Sequence, residues 1–294
     1  MTEEAKGPTL PEFSASLAGL VEGVSKSVVG IRGGRRAFAS GFVWRPGLVI
    51  TADEALGDCE SASVALDGHS FEAAIPGRDP STDVVVLRVA GLGAPALPLA
   101  AGLTPRAGEI VLAAARQDGA IAARLGIVSM TGPAWVSMRG GRIDSLIRLD
   151  MRLGRRSEGG PVIDSQGRVF GMAVRGARRS VLAIPAATIE RVAARILEKG
   201  SVKPGYLGLG LHPVRLHGAA ETGLIVLGVA AGSPGETAGV KQGDIVTAWN
   251  GEPVAGVRDL MRHLGPDSPG QTVELSLTRG GQPATATCVI GARP

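Results

Sequence analysis

Short apolar runs separated by turn residues are the main pattern of the first two thirds of the chain. Between residues 27 and 184 these runs are rich in Val, Ile and Leu, and Gly, Pro, Asp or Ser stands between them. Short strands at this spacing are typical of an all-β barrel or sandwich. The predicted strands are residues 27–32, 39–44, 47–51, 62–66, 70–75, 84–89, 110–115, 120–129, 145–150, 161–163, 169–174 and 181–184.

Helical spacing of apolar residues flanks this region on both sides. Residues 1–12 are polar with two prolines and predict a flexible arm, and a helical period begins at Phe13. A second helical pattern covers residues 185–200, with Gly200 as its C-terminal cap. We therefore predict a β domain over residues 13–200 and a boundary near residues 201–204.

The last part of the chain, residues 201–294, mixes strands with short helices. Asn250-Gly251 is a hairpin turn signal. The predicted strands are 206–211, 223–229, 244–249, 272–278 and 285–290, and the predicted helices are 233–238 and 257–264. This mixture in so short a segment predicts a compact α+β module.

Composition limits the class of protein further. A chain of 294 residues suggests about two domains. Aromatic residues are only 3%, so both cores must be built from Val, Leu, Ile and Ala, and 44 glycines with 19 prolines favour a turn-rich β protein. Cys59 and Cys288 fall in different predicted domains, so we expect no disulfide.

Charge and hydropathy exclude two other classes. The net charge of +4 comes from short arginine groups without a long basic run, which favours solvated surface charge over nucleic-acid binding. No stretch approaches the length of a membrane span, and no apolar leader follows the polar start. The chain as given predicts a cytoplasmic protein, or a periplasmic one if an export signal has been removed.

Three segments of the first domain resemble the catalytic segments of HtrA/Deg-type trypsin-like serine proteases. Residues 39–56 are similar to the strand and loop that bear the family's catalytic histidine. Residues 81–89 are similar to the segment that bears its aspartate, and residues 154–172 to its nucleophile loop and the following hairpin. For residues 13–200 the resemblance implies an all-β, trypsin/chymotrypsin-like double β-barrel.

Two segments of the second domain resemble an HtrA-type PDZ domain. Gly205-Tyr-Leu-Gly-Leu is similar to its carboxylate-binding loop, and residues 233–246 are similar to its signature between strands. Residues 201–294 are therefore expected to form a small α+β PDZ domain. A peptide would add as a strand beside this loop, and backbone N–H groups would hold its terminal carboxylate. The expected peptide-binding residues are Tyr206, Leu207, Gly208 and Leu209.

Two of the three catalytic positions depart from the family pattern. The histidine motif reads Thr51-Ala52-Asp53-Glu54, Glu158 stands where the serine would precede Gly159-Gly160-Pro161, and only Asp83 matches. A carboxylate with an ordinary pKa of about 4.3 is a weak base at neutral pH. Glu158 also has no hydroxyl to activate as a nucleophile. The resemblance places the oxyanion-hole N–H groups at Arg156 and Glu158, and by hypothesis the Glu158 carboxylate accepts such bonds itself.

The carboxylates leave several interpretations open. Glu54, Asp83 and Glu158 are expected to converge on one cleft, where three like charges need relief. A relict cleft neutralised by arginines is favoured, with calcium binding or unrecognised catalysis as alternatives; we expect no metal or cofactor. A hydrolase that uses Ser157, one residue early, is disfavoured. The arginines that could neutralise the carboxylates are Arg155, Arg156, Arg178 and Arg179.

The sequence thus predicts a catalytically inactive HtrA-like pseudoprotease that binds peptide or protein C-termini through its PDZ domain. It would act as a scaffold or regulator in protein quality control, with an active HtrA relative as a candidate partner. The alternative is an HtrA-like serine endopeptidase with residual hydrolytic activity. The resemblance also implies a homotrimer, and the short 32–39 segment leaves no room for a cage-forming loop; a monomer is the alternative. The expected trimer contacts are Phe13, Leu17, Leu20 and Val21.

Overall fold

The computed structural model describes residues 7, 9–34, 37–200, 205–215, 222–265 and 268–292. The chain divides into two compact units. Residues 1–135 and 143–201 form the first, and residues 136–142 and 202–294 form the second. The short segment 136–142 therefore groups with the second unit, although the sequence placed it in the first domain. The predicted boundary at residues 201–204 lies outside the described residues.

The elements of the first part of the chain follow one another in the order expected for a β protein that begins and ends with a helix. They are α1 (Leu10–Ser25), β1 (Val28–Gly33), β2 (Ala37–Arg45), β3 (Leu48–Thr51), α2 (Asp53–Leu56), β4 (Ser61–Leu66), β5 (His69–Asp79), β6 (Val84–Val89), β7 (Ile110–Gln117), β8 (Ala120–Gly132), β9 (Trp135–Val136), β10 (Arg142–Ile143), β11 (Leu146–Asp150), β12 (Pro161–Asp164), β13 (Val169–Arg175), β14 (Val181–Pro185) and α3 (Ala186–Lys199).

These strands close into two antiparallel barrels of six strands each within the described residues. The first has the order β1-β2-β3-β6-β5-β4, and the second has the order β11-β14-β13-β12-β7-β8. Each barrel encloses its own core of aliphatic side chains, among them Val64 and Leu87 in the first and Ile147 and Val162 in the second. Closure pairs the sheet edges with each other, which removes exposed edges. The predicted double β-barrel is confirmed.

Two hairpins of this unit have turns that their own residues stabilise. Asp67 and Gly68 both have positive φ values and join β4 to β5 by a two-residue turn, so that Leu66 pairs with His69. His69 is exposed at this turn. The hairpin between β12 and β13 pairs Pro161 with Met172, and its turn is held by Asp164.

Local structure differs from the prediction at two places in this unit. Helix α1 begins at Leu10, inside the segment predicted as an arm, because Thr9 and Glu12 form a reciprocal capping box. Strand β5 continues past Pro76, where the prediction ended it. A register shift between Ala74 and Gly77 accommodates the proline.

The second unit is an antiparallel sheet with two short helices. Its elements are β15 (Gly205–Tyr206), β16 (Leu209–Arg215), β17 (Thr222–Val229), α4 (Pro234–Thr237), β18 (Ile245–Trp249), β19 (Glu252–Pro253), α5 (Val257–His263), β20 (Thr272–Arg279), β21 (Gln282–Val289) and β22 (Gly291–Ala292). The main sheet has the order β16-β17-β18-β20-β21, and β19 pairs with β18. Its core includes Leu224, Val246 and Leu275. The predicted PDZ fold is confirmed.

The predicted strand 206–211 is divided in two. Tyr206 pairs with Gly291 in β15, whereas Leu209 pairs with Val229 in β16. Between them Gly208 has a φ of 75°, a conformation that favours glycine. Periodicity shows a continuous apolar run here and does not reveal this break.

The two cysteines of the chain differ in burial. Cys59 is partly buried and Cys288 is buried in the PDZ core, both as free thiols. Burial raises the pKa of the Cys288 thiol above its ordinary value. No helix in the described part of the chain is long and apolar enough to cross a membrane.

Candidate functional site

Asp83 and the one-turn helix α2 lie next to each other in the first barrel. The N–H of Glu54 donates a hydrogen bond of 2.7 Å to Asp83 Oδ1. Asp83 has a φ of 62°, in the left-handed region that aspartate tolerates better than most residues. The turn before it is held by the buried Asp79, whose carboxylate accepts bonds of 2.9 Å from the Ser81 N–H and the Thr82 hydroxyl. The predicted aspartate therefore contacts the backbone of the predicted histidine position.

The two carboxylates of α2 have different surroundings. Glu54 has an exposed side chain, and its carboxylate forms no hydrogen bond or ion pair with the other described residues. Asp53 is buried and pairs with Arg78 at 3.2 Å. Arg78 also donates to the carbonyls of Gly57 (2.7 Å) and Cys59 (2.6 Å), which fixes the loop after α2.

Glu158 is buried and forms an ion pair with Arg175. Its side chain is 4% exposed, whereas that of Arg175 is 37% exposed. Arg175 Nε donates to Glu158 Oε1, and Arg175 Nη2 lies 3.5 Å from Glu158 Oε2. A charge this deeply buried requires a partner. The carboxylate thus faces Arg175, and not the backbone N–H groups that the oxyanion hypothesis gave it.

Arg175 was not among the arginines that the sequence suggested for this role. The hairpin of β12 and β13 explains why it is the partner. Arg175 is the last residue of β13 and Glu158 stands three residues before β12, so the hairpin brings them to the same end. A register shift interrupts the ladder between Val162 and Ile163. Counting outward from the turn would have placed Val174 opposite Glu158, so the sequence alone does not reveal this pair.

The backbone before Glu158 is wound into a 3₁₀ turn over Arg155–Ser157. The Ser157 N–H donates to the Gly154 carbonyl at 2.9 Å, and the Glu158 N–H donates to the Arg155 carbonyl at 3.3 Å. An oxyanion hole requires donors aimed at the position of the developing negative charge. In this conformation the Glu158 N–H is directed into its own turn.

Among the described residues, the hydroxyl of Ser157 is not paired with a basic side chain. It is buried, and its hydroxyl accepts a hydrogen bond of 2.7 Å from Gln117 Nε2. An amide is not a base, so this contact does not activate the hydroxyl. The Gln117 contact lies forty residues away in sequence, and no local signal predicts it.

An open cleft of about 430 Å³ lies between the α2 loop and the loop that bears Glu158. Its walls come from the α2 loop, the 3₁₀ turn and the end of β13. The lining residues are Phe38, Glu54, Ala55, Leu56, Gly57, Arg155, Arg156, Glu158 and Arg175. Across the described ranges, no group of three or more His, Cys, Asp or Glu side chains could hold a metal ion. The converging cluster of Glu54, Asp83 and Glu158 that the sequence suggested is therefore not such a group.

The second candidate site is the loop between β15 and β16. The Leu207 carbonyl accepts from the Gly235 N–H, and the Gly208 carbonyl accepts from the Ala230 N–H, both at 2.8 Å. The N–H groups of Leu207 and Gly208 donate to no other described residue. Two adjacent backbone N–H groups without acceptors form a site suited to a carboxylate.

This loop opens onto the edge of the main sheet. Strand β16 is the terminal strand of the sheet order, so one side of it has no neighbouring strand among the described residues. Leu209 and Leu211 on β16 and Met261 on α5 are partly buried against the core. The arrangement can accept an added strand with apolar side chains.

Comparison with known proteins bears on both sites. Residues 39–172 match the family described as "Trypsin-like peptidase domain", and residues 205–289 match "PDZ domain". A "Probable periplasmic serine endoprotease DegP-like" of Rhizobium meliloti (strain 1021) is 33% identical over 277 residues, which cover 88% of this chain and 54% of that protein. The crystal structure of the serine endoprotease from Yersinia pestis superposes with a TM-score of 0.74 at 25% identity, covering 98% of this chain and all of that one. This chain belongs to the HtrA family.

Other HtrA-type proteins give the same result for the fold. The structure described as "HtrA-type protease AlgW with decapeptide" has a TM-score of 0.71 at 22% identity, covering 94% of this chain and 98% of that one. A DegP-like protein of Brucella suis biovar 1 (strain 1330) is 32% identical over 88% of this chain and 53% of its own length. The chain thus spans about half the length of the curated relatives it matches.

Proposed function

We propose that this HtrA-family protein is a pseudoprotease that binds polypeptides and does not cleave them. The single observation that carries the proposal is the state of Glu158. A buried, ion-paired glutamate stands at the position where the sequence resemblance expects the serine nucleophile. Acyl transfer at this position would need a hydroxyl and an adjacent base.

The surroundings of Glu158 support the same proposal. Glu54 is exposed, and Ser157, the hydroxyl next to Glu158 in the sequence, accepts its hydrogen bond from Gln117. The Glu158 N–H donates to Arg155 within the 3₁₀ turn. The base position, the neighbouring hydroxyl and one of the two expected oxyanion donors are thus not arranged for acyl transfer.

Peptide binding is proposed for the PDZ domain. The unpaired N–H groups of Leu207 and Gly208 would hold a terminal carboxylate, and the free side of β16 would pair with the peptide backbone. Tyr206 would contribute to peptide binding as the first residue of this loop. Leu209 would contact the peptide with its apolar side chain. AlgW, a neighbour in fold, has been solved with a decapeptide.

The first experiment is a fluorophosphonate probe together with digestion of denatured casein, with an active HtrA protease as the positive control. We expect neither labelling nor cleavage. Labelling that depends on Ser157, or turnover that disappears in Glu158→Ala, would overturn the pseudoprotease assignment. It would support instead the alternative of an endopeptidase with residual activity.

The PDZ proposal has its own test. The full chain is titrated with peptides that end in an apolar residue, and the matched control is the same peptide with its C-terminus amidated. We expect binding to the free carboxylate and at least about a tenfold loss on amidation, since a charge-assisted bond to backbone N–H is removed. Equal affinity for both peptides would contradict C-terminal recognition.

Location and assembly complete the proposal. The relatives are named as periplasmic, and we propose the same compartment, where the protein would act as scaffold or regulator of an active HtrA relative in protein quality control. Phe13, Leu17, Leu20 and Val21 on α1 are only half-buried, which supports a role in trimer contacts. Light scattering coupled to size exclusion would give the mass of a trimer, and a monomer mass would contradict it.

A further inference from the structure

The cleft of the barrel unit carries more positive than negative charge. Three arginines line it, Arg155, Arg156 and Arg175, against two carboxylates, Glu54 and Glu158. The Glu158 charge is satisfied by Arg175 within the protein. What the cleft presents to solvent is therefore mainly guanidinium.

One of these arginines has no internal use. The Arg155 side chain is exposed, and its guanidinium forms no hydrogen bond or ion pair with any residue in the described part of the chain. Arg156 beside it lies 4.8 Å over the Phe38 ring and pairs with the exposed Asp118 at 2.7 Å. Arg175 pairs with Glu158 through Nε and one terminal nitrogen and is still 37% exposed. Arg155 and the outer nitrogen of Arg175 are thus available to an incoming anion.

The wall of the cleft formed by the α2 loop limits which kind of anionic ligand can bind there. The α2 loop contributes the Glu54 carboxylate and the half-buried side chain of Ala55. A nucleic acid carries a phosphate at every residue, so a phosphate would lie against Glu54 in any register, whereas a polypeptide can place its carboxylates at the arginines and an uncharged segment at Glu54. A polypeptide offers isolated carboxylates together with backbone N–H groups, which Glu54 can accept. The volume of about 430 Å³ suits a few residues of such a chain rather than a single ion.

We propose that this cleft is a second binding site, specific for an acidic polypeptide segment. An Asp or Glu side chain of the ligand pairs with Arg155 and with the outer nitrogen of Arg175, where a planar guanidinium and a carboxylate match in geometry. Backbone N–H groups of the ligand face Glu54, and Phe38 and Ala55 contact its apolar parts. This site recognises internal acidic residues and is independent of the C-terminal recognition proposed for the PDZ domain.

The test uses the full chain and a peptide that the PDZ loop cannot hold. A fluorescent peptide with isolated Asp and Glu residues between uncharged ones, acetylated at its N-terminus and amidated at its C-terminus, is titrated by anisotropy. Its control has Asn and Gln at the same positions. Arg155→Glu tests the site, and Arg124→Glu, an exposed arginine on β8 outside the cleft, is the matched charge control.

We expect the acidic peptide to bind at least about tenfold more tightly than its amide control, because charge-assisted bonds are lost in the control. Arg155→Glu should weaken binding at least about tenfold, whereas Arg124→Glu should change it less than about twofold. Equal losses in both variants would mean non-specific attraction and would overturn the proposal. Equal binding of the two peptides would also overturn it. So would displacement of the labelled peptide by single-stranded DNA at the same concentration at which unlabelled acidic peptide displaces it.

Discussion

Replacing either side chain of the buried Glu158–Arg175 ion pair should lower the free energy of unfolding. The two losses should differ, because the two side chains are exposed to different extents. Arg175→Met removes the partner of a carboxylate that is 4% exposed. Removing one member of a buried pair costs about 3–5 kcal/mol, because an uncompensated charge remains. Since Arg175 is 37% exposed and water can enter its place, we expect the lower end, about 3 kcal/mol.

The reverse substitution should cost much less. Glu158→Gln leaves the charge on Arg175, which already reaches solvent, so we expect a loss of about 1 kcal/mol. The double variant Arg175→Met/Glu158→Gln has no buried charge and should lie within about 1 kcal/mol of the parent. The coupling free energy from this cycle is then about 3–4 kcal/mol.

The assay is urea unfolding of the full chain, with the transition of the barrel unit fitted separately from that of the PDZ unit. Arg152→Met is the matched control, because Arg152 is exposed and outside the cleft; it should change stability by less than about 0.5 kcal/mol. Equal losses for Arg175→Met and Glu158→Gln would refute the reasoning, since the asymmetry depends on the different burial of the two side chains. A coupling energy near zero would refute the pair itself.

Three further predictions concern both units. Gly208→Ala should destabilise the PDZ unit by about 1–3 kcal/mol in urea, because alanine at positive φ is strained; an unchanged midpoint would contradict this. Arg279 holds the pKa of Asp244 below its ordinary value by hydrogen bonding, so this stability is present above about pH 4 and is lost as pH falls through the lower folded pKa. Arg279→Met should therefore flatten the acid limb of the PDZ unit's stability below about pH 4; an unaltered acid limb would count against it. The double variant Glu54→His/Glu158→Ser should stay at least about a hundredfold below an active HtrA protease on casein if the 3₁₀ turn persists, because one oxyanion donor is still directed inward; activity equal to that protease would exclude this reason.

The sequence by itself determined the architecture and the loss of the catalytic pattern. Short apolar runs between turn residues indicate a β domain followed by an α+β module, since strand period and turn chemistry are local properties. The resemblance of the motifs to HtrA proteins narrowed these two classes to a double β-barrel and a PDZ domain. The glutamates at positions 54 and 158 are visible as soon as the motifs around them are aligned by resemblance.

Only the tertiary structure decided which side chains meet. Arg175 is the partner of Glu158 because the β12–β13 hairpin, with its register shift, brings the end of β13 to the residues before β12, whereas Arg155, nearer in the sequence, does not pair with Glu158. Ser157 accepts its hydrogen bond from Gln117, on a strand forty residues earlier. Long side chains find partners through strand register and barrel closure, which join residues distant in sequence. Local propensity carries no information about such contacts, and the chemistry of the cleft depends on them.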